Sequence, residues 1–294
     1  MLSKLLYYPK FVFSFCVLRR DVPFLLGLVL CDRCNLACRH CRVANTGRRG
    51  LTMDEVRERL IRFHGRGCRA LYLEGGEPFL WRDGDYALDD VVEEARRIGY
   101  FQVHVFTNGM FALESRADML WVSLDGPREM HALLRGDHLP TVVANMRASG
   151  HPRMAIVYTI NSLNKGGIRE FLTYVQRERL PALGVIFYFH TPYYGKDELF
   201  LEAPERDRIV ADLVRCKREG LPVLNSYAGM QAFQTGRWKR RFESVWVSDV
   251  EGDYVCCRAN SGWLCEDCGY AFCAEITESQ RLRPSAVLGL LRYR

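Results

Sequence analysis

Six short runs of apolar residues recur along the first two thirds of the chain. Runs of this length without polar alternation are typical of strands that are covered on both faces, as in parallel sheets. The predicted strands are 24–30, 70–74, 101–107, 119–125, 154–161 and 185–190. The pattern therefore predicts a parallel sheet at the centre of the fold.

Segments with helical spacing separate these runs. Val56 and Phe63 share one face of the first predicted helix. Thr52 and Glu55 match a capping box at its start, and Gly65 is expected to end it. The same spacing recurs between later strands, so the chain is predicted to be α/β, with a partial parallel (β/α)6 barrel. Ligands of such folds collect at the carboxyl ends of the strands.

Length and composition agree with this organisation. The 294 residues, of which 48% are apolar, can form one large core at 23–227, preceded by an apolar segment at 1–22 and followed by a small cysteine-rich extension at 228–294. The net charge of +6 is spread along the chain, and its one compact basic run, 237–241, is expected to be a solvated face and no nucleic-acid site. Most of the twelve cysteines cluster at ligand spacing, which indicates metal binding in a reducing cytoplasm.

Three of these cysteines, Cys34, Cys38 and Cys41, follow the first predicted strand. Thiolates at this spacing can hold three irons of a cubane cluster and leave the fourth iron open. A zinc knuckle and unconnected thiols are the alternative interpretations.

The run that follows the second strand reads Gly75, Gly76, Glu77, Pro78. Two glycines allow the backbone to approach a bound amino acid closely, and the carboxylate could accept a hydrogen bond from its ammonium group. We therefore expect these four residues to bind a cofactor beside the cysteines.

Together, C-x3-C-x2-C and GGEP resemble the radical S-adenosylmethionine (radical SAM) superfamily. The resemblance implies a [4Fe–4S] cluster, SAM bound through its methionine part, and reductive cleavage to a 5′-deoxyadenosyl radical that starts chemistry on a substrate. It also implies an electron donor such as ferredoxin or flavodoxin. His40 stands where the family usually has an aromatic residue, and its flat ring could lie against adenine.

Polar residues after the later strands are further candidates. Asn108 follows the third strand, and Ser123 and Asp125 lie in SLDGPREMHALLRG, which resembles a run in radical SAM enzymes with additional clusters, although Ala132 replaces the Asp of that run. Ser123 and Asp125 are expected to point into the barrel mouth and bind ribose or substrate, while the alternative is a turn at Asp-Gly-Pro. Asp125 and His190 are the candidate catalytic residues, and His190 could equally be a core histidine.

The tail carries five cysteines within eighteen residues. One of an adjacent pair, assigned to Cys257 rather than Cys256, is expected to join Cys265, Cys268 and Cys273 as metal ligands. The spacing resembles a shortened SPASM or twitch domain, which implies a second iron–sulfur cluster. A structural zinc site and uncoordinated thiols stay open.

The first twenty residues are apolar and aromatic with interspersed basic residues, and Pro9 interrupts them. No apolar run approaches the length of a membrane span, so we expect either a strap across the barrel or a peripheral anchor at the cytoplasmic face of a membrane. A strap suits a peptide substrate, and an anchor suits a lipid or isoprenoid. The alternative from another class is a non-catalytic iron–sulfur electron carrier or scaffold, which would not bind SAM.

Overall fold

The computed structural model describes residues 2–240, 242–258 and 262–293, so Arg241 of the basic run lies outside the described residues. Eight strands form its single described sheet. They are β1 (Leu25–Val29), β2 (Ala70–Glu74), β3 (Gln102–Thr107), β4 (Met119–Ser123), β5 (Met154–Ile160), β6 (Val185–Phe189), β7 (Val245–Ser248) and β8 (Asp253–Val255).

Helices connect the strands and form the tail. They are α1 (Leu2–Val12), α2 (Met53–Arg66), α3 (Leu88–Ile98), α4 (Arg128–Arg135), α5 (Leu139–Ala148), α6 (Ile168–Arg177), α7 (Ala203–Arg218), α8 (Tyr227–Gln234), α9 (Gly262–Glu266), α10 (Ala271–Gln280) and α11 (Pro284–Leu291). A π-helical turn, Phe13–Val17, continues α1.

The sheet order is β6-β5-β4-β3-β2-β1-β7-β8, in which β1 to β7 run parallel and β8 runs antiparallel to β7. The predicted α/β fold class is confirmed, and each of the six predicted strands lies within two residues of its observed position. The strands β7 and β8 were not predicted from the sequence. Because β7 pairs with β1, from Leu25 opposite Val245 onwards, the tail extends the same sheet.

The first predicted helix begins as expected. The Thr52 side chain accepts a hydrogen bond from the Glu55 N–H, and the Glu55 carboxylate accepts one from the Thr52 N–H. Its predicted end at Gly65 is wrong, since α2 continues to Arg66 and ends at Gly67, whose φ of 116° lies in the left-handed region that glycine adopts without strain.

Successive strand residues face opposite sides of the sheet, so alternate side chains point to the helix-packed core or to the lumen of the barrel. On β2, Leu71 and Leu73 are fully buried against the helices, whereas Glu74 lines an internal cavity. The lower lumen is filled by aromatic packing, in which Trp121 lies 5.1 Å from Tyr293, ring centre to ring centre. The open part of the lumen is therefore at the carboxyl ends of the strands.

The N-terminal segment lies across the other end. The Tyr7 hydroxyl donates to the carbonyl of Gly67, just before β2, and its ring packs on Phe101, just before β3. Phe11 packs on Phe24, which precedes β1. None of the described helices is both long and apolar enough to cross a membrane.

Candidate active site

The loop between β1 and α2 holds Cys34, Cys38 and Cys41, all partly exposed and none in a disulfide. Two side chains fix its course. The Asp32 carboxylate accepts hydrogen bonds from the backbone N–H and the hydroxyl of Thr46, and the Asn45 side chain accepts from the Cys34 N–H at 2.8 Å. The thiols are therefore presented by a loop whose backbone is already ordered.

The GGEP loop packs directly on the cysteine loop. A Cβ atom at Gly76 would lie 2.2 Å from the carbonyl oxygen of Arg33, and one at Gly75 would lie 2.4 Å from that of Cys31. No side chain fits at either position. Both glycines line the same cavity as the three cysteines, so their backbone is available to a ligand beside them.

Glu77 follows the two glycines in this loop. Its carboxylate is fully buried and accepts hydrogen bonds from the Thr107 hydroxyl at 2.8 Å and from the N–H groups of Asn108 and Phe79 at 2.7 and 3.2 Å. Burial raises the pKa of Glu77, and these donors oppose the rise. Glu77 thus does not line the cavity with its carboxylate, which lies against the end of β3, and its contact with a cofactor ammonium stays a prediction.

Asn108 lines the cavity as predicted from its place after β3. Its amide donates to the side chain of Asn35 at 2.8 Å and lies 3.7 Å from the Cys34 sulfur. The third strand thus contributes a polar contact to the cysteine loop.

Asp125 was expected to open on the barrel mouth, and this expectation is wrong. The side chain is fully buried, with one oxygen accepting from the Thr159 N–H at 2.6 Å and the other from Arg135 Nε at 2.5 Å. Burial acts to raise the pKa of Asp125, but the Arg135 charge and the hydrogen bonds lower it overall. Arg135, and not Asp125, lines the cavity.

Arg135 is a site residue that the sequence analysis missed. Its second and third nitrogens lie 3.8 Å from the Cys38 sulfur and 3.3 Å from His40 Nε2. The only signal was its place at the end of the SLDGPREMHALLRG run. Burial raises the pKa of Cys38 to about 11, and the guanidinium opposes that rise by favouring the thiolate.

His40 lines the cavity beside this guanidinium. Burial, reinforced by Arg135, lowers the pKa of His40 to about 4, so the ring is neutral at physiological pH. Its Nδ1 is buried and has no hydrogen-bond partner among residues 2–240, 242–258 and 262–293. An unpaired buried nitrogen beside a cavity is a contact point for a ligand.

His190 and Ser123 both line the cavity, from β6 and β4. His190 Nε2 lies 3.1 Å from the Asp197 carboxylate, and burial lowers its pKa, which Asp197 opposes. His190 is thus both paired and accessible to a ligand, so its catalytic role stays a prediction.

The five tail cysteines line the same cavity. The sulfurs of Cys256 and Cys273 are 3.8 Å apart, and Cys268 packs in the same cluster. Burial raises the pKa of Cys268 to about 12, and the nearby thiols, including Cys257 and Cys265, raise it further. Both members of the adjacent pair are therefore near the others, and the choice of Cys257 stays a prediction.

Two further residues that line the cavity, Glu74 and Arg258, were not predicted as site residues. Glu74 lines the cavity at the end of β2, and its Oε1 lies 3.0 Å from the place of a Cβ at Gly27, so a side chain at that position would have to displace the carboxylate. Burial raises the pKa of Glu74, and Arg258 opposes the rise across the cavity. Neither residue carried a sequence signal, because their proximity depends on β7 lying beside β1.

One cavity of about 380 Å³ connects these groups. It is lined by both sets of cysteines, by the two glycines after β2 and by His40, Asn108, Ser123, Arg135 and His190. Within the described ranges, no three Cys, His, Asp or Glu side chains converge as ligands of a single ion. A cubane requires a different arrangement, since each cysteine binds its own iron. The backbone of Gly75 and Gly76 and the unpaired His40 nitrogen fit an amino-acid-containing cofactor beside the first three thiols.

The sequence pattern of the Radical SAM superfamily matches residues 28–176, about half of the chain. The chain belongs to the radical SAM superfamily. The matched segment contains the cysteine loop, GGEP, Asn108 and Asp125. Membership indicates an enzyme of the radical SAM class, which speaks against a non-catalytic electron carrier.

Two curated relatives are GTP 3′,8-cyclases. The protein from Tolumonas auensis is 26% identical over 171 residues, which cover 52% of this chain and 50% of that protein. The protein from Aeromonas hydrophila is 28% identical over 178 residues, covering 53% and 51%. The chain thus spans about half the length of the curated relatives that it matches.

Solved structures share the fold. Streptococcus suis SuiB bound to the precursor peptide SuiA has a TM-score of 0.64 at 14% identity, over 88% of this chain and 65% of that chain. Native anSMEcpe with bound AdoMet and the Kp18Cys peptide has a TM-score of 0.62 at 16% identity, over 88% and 84%. At these identities the likeness concerns the fold of the radical SAM enzyme.

Proposed function

We propose that this enzyme holds a [4Fe–4S] cluster on Cys34, Cys38 and Cys41, cleaves SAM reductively, and acts on a peptide. The observation that carries the proposal is the single cavity in which these three thiols adjoin the backbone of Gly75 and Gly76. When bound, the cluster would supply the electron that splits SAM into methionine and a 5′-deoxyadenosyl radical.

The chain's own residues bind and orient. The backbone of the two glycines would contact the methionine part of SAM, and His40 and Asn108 would contact SAM from the first loop and from the end of β3. Arg135 would hold positive charge beside Cys38, which favours the thiolate that a metal needs. Asp125 keeps Arg135 in place and is a positioning residue in this proposal.

For the tail we propose a second iron–sulfur cluster, held by Cys265, Cys268, Cys273 and one of Cys256 and Cys257. The support is that these thiols meet in one cluster on the same cavity as the first group. A structural zinc ion is the competing occupant.

Two observations favour a peptide substrate. The cavity presents both an acceptor, Glu74, and a donor, Arg258, and a peptide group offers the matching donor and acceptor. In addition, SuiB and anSMEcpe, which share the fold, are described with bound peptides.

Reductive SAM cleavage tests the central proposal. Anaerobically reconstituted enzyme given dithionite and SAM should release 5′-deoxyadenosine, measured by chromatography, and Cys38→Ala should release none because one iron loses its protein ligand. Cys216→Ala, a buried cysteine on α7 away from the cavity, is the matched control and should retain activity. Equal release by Cys38→Ala and the control would refute the assignment.

The peptide part has its own test. Short peptides encoded beside the gene should change mass when incubated with the reduced enzyme and SAM. SAM cleavage without any change in such a peptide would leave the radical SAM chemistry standing and remove the support for a peptide substrate.

A further inference from the structure

The N-terminal helix and its π-helical turn have two apolar faces, and only one of them is packed. The inner face carries Tyr7, Phe11 and Phe15, whose rings stack in sequence against the base of the barrel. This face alone satisfies the strap interpretation. It does not account for the apolar residues on the opposite side.

The outer face is formed by five apolar side chains that are between 44% and 70% exposed: Leu6, Val12, Phe13, Val17 and Leu18. Among them, Leu6, Phe13 and Val17 follow helical spacing and so lie on one side. A contiguous exposed apolar surface of this kind marks an interaction site.

The segment that carries the outer face has charges of one sign. Residues 1–20 contain two lysines and two arginines and no acidic residue. Lys10, Arg19 and Arg20 are exposed, and the first acidic residue, Asp21, is paired with Lys239. Apolar residues flanked by cations fit an anionic lipid surface. A second copy of the same face would bring like charges together.

The position of this helix fixes an orientation. Its inner face contacts Gly67 and Phe101, which precede strands, whereas the cysteine loop follows β1 at the other end of the sheet. A surface bound by the outer face would therefore lie at the base of the barrel, away from the cavity.

We propose that the outer face docks this enzyme on a membrane surface rich in anionic phospholipid, with the cavity mouth turned to the aqueous side. The helix lies flat on the bilayer while its inner face stays packed on the barrel. In this arrangement the membrane is a docking partner, and the substrate enters from water.

The test uses the full chain and two kinds of vesicle, phosphatidylcholine alone and phosphatidylcholine mixed with phosphatidylglycerol. Wild type should co-sediment with the mixed vesicles, and Phe13→Ser/Val17→Ser should weaken that binding by more than about tenfold. Ile61→Ser/Leu133→Ser is the matched control, since these side chains are similarly exposed, at 57% and 59%, and lie elsewhere. It should bind as wild type does.

A second variant separates charge from folding. Arg19→Glu/Arg20→Glu leaves every apolar contact in place and should weaken binding to the mixed vesicles by more than about tenfold, with an unchanged melting temperature. Three outcomes would overturn the proposal: no wild-type binding to mixed vesicles, equal binding by wild type and both variants, or a wild-type dimer that Phe13→Ser/Val17→Ser dissociates without any change in vesicle binding. The last would make the outer face an interface between copies.

Discussion

The two cysteine groups line one cavity but are held in different ways. The first group lies on a short loop that is stabilised by polar contacts. Among them are the hydrogen bonds from Thr46 to the Asp32 carboxylate and the buried pair of Arg135 and Asp125. The second is spread over the end of β8, α9 and α10 and rests on apolar packing around Trp238 and Ala274. The first set of ligands is therefore local in sequence, whereas the second is assembled by the tertiary fold.

The largest expected effect is the loss of metal from the second cysteine group while the first group keeps its cluster. If both groups bind clusters, reconstituted enzyme should hold about eight irons, and Cys265→Ala/Cys268→Ala should fall to about four. SAM cleavage should survive, because the first three thiols are unchanged. Iron and zinc analysis by mass spectrometry is the measurement.

The same analysis separates the alternatives for the tail. About four irons with one zinc in the wild type would indicate a structural zinc site. Four irons and no zinc would refute both metal assignments. Cys216→Ala serves as the control and should keep the wild-type metal content.

A smaller effect is expected from the buried ion pair of Arg135 and Asp125 beside the first cysteine group. Asp125→Asn leaves the Arg135 charge buried without its counter-charge and should cost about 3–5 kcal/mol in the free energy of unfolding. Arg128 begins α4 and pairs with Asp137, which follows the helix; this pair is solvent-exposed, so Asp137→Asn should lower the free energy of unfolding much less than Asp125→Asn does. Urea denaturation of the reconstituted enzymes compares the two variants. An equal loss in the free energy of unfolding would show that the buried pair of Arg135 and Asp125 does not stabilise the region of the first cysteine group.

The smallest expected effect concerns a buried carboxyl group on α10, the helix that carries Cys273 of the second cysteine group. Glu275 on α10 accepts a hydrogen bond from the Ser226 N–H at the start of α8, and burial raises its pKa from 4.5 to about 7. The folded chain therefore binds this proton more tightly than the unfolded chain. Stability should fall as pH rises from about 4.5 to about 7, by at most about 1.4 kcal/mol per pH unit, and then level off.

Glu275→Gln should remove this slope, since the amide does not titrate. The exposed Glu243→Gln is the control and should retain it. Thermal unfolding followed at several pH values measures both, and an unchanged slope in Glu275→Gln would assign the pH dependence to another group.

Much of the fold and the first half of the site could be predicted because their signals are local. A fully buried parallel strand is a continuous apolar run, and this identified β1 to β6. The spacing of Cys34, Cys38 and Cys41 lies within one loop, and the cradle of Gly75 and Gly76 follows the next strand. Where the chemistry is carried by consecutive residues, the sequence reveals it.

The remaining features depend on contacts between distant parts of the chain. Arg135 is 97 residues from Cys38, and Arg258 reaches Glu74 only because the four-residue strand β7 pairs with β1. The burial of the Glu77 and Asp125 side chains was not predicted for the same reason. The Glu77 carboxylate accepts a hydrogen bond from the N–H of Asn108, just after β3, and the Asp125 carboxylate accepts one from the N–H of Thr159 on β5. The alternation of residues along a strand does not reveal such donors.

The pairing of β7 with β1 has a consequence for any shortened form of this enzyme. A fragment ending at residue 227 would leave one side of β1 with free peptide N–H and C=O groups in an apolar strand. Such an edge can pair with the same edge of another molecule and lead to aggregation. Residues 245–255 therefore protect the chain against self-association, whether or not the tail holds a metal.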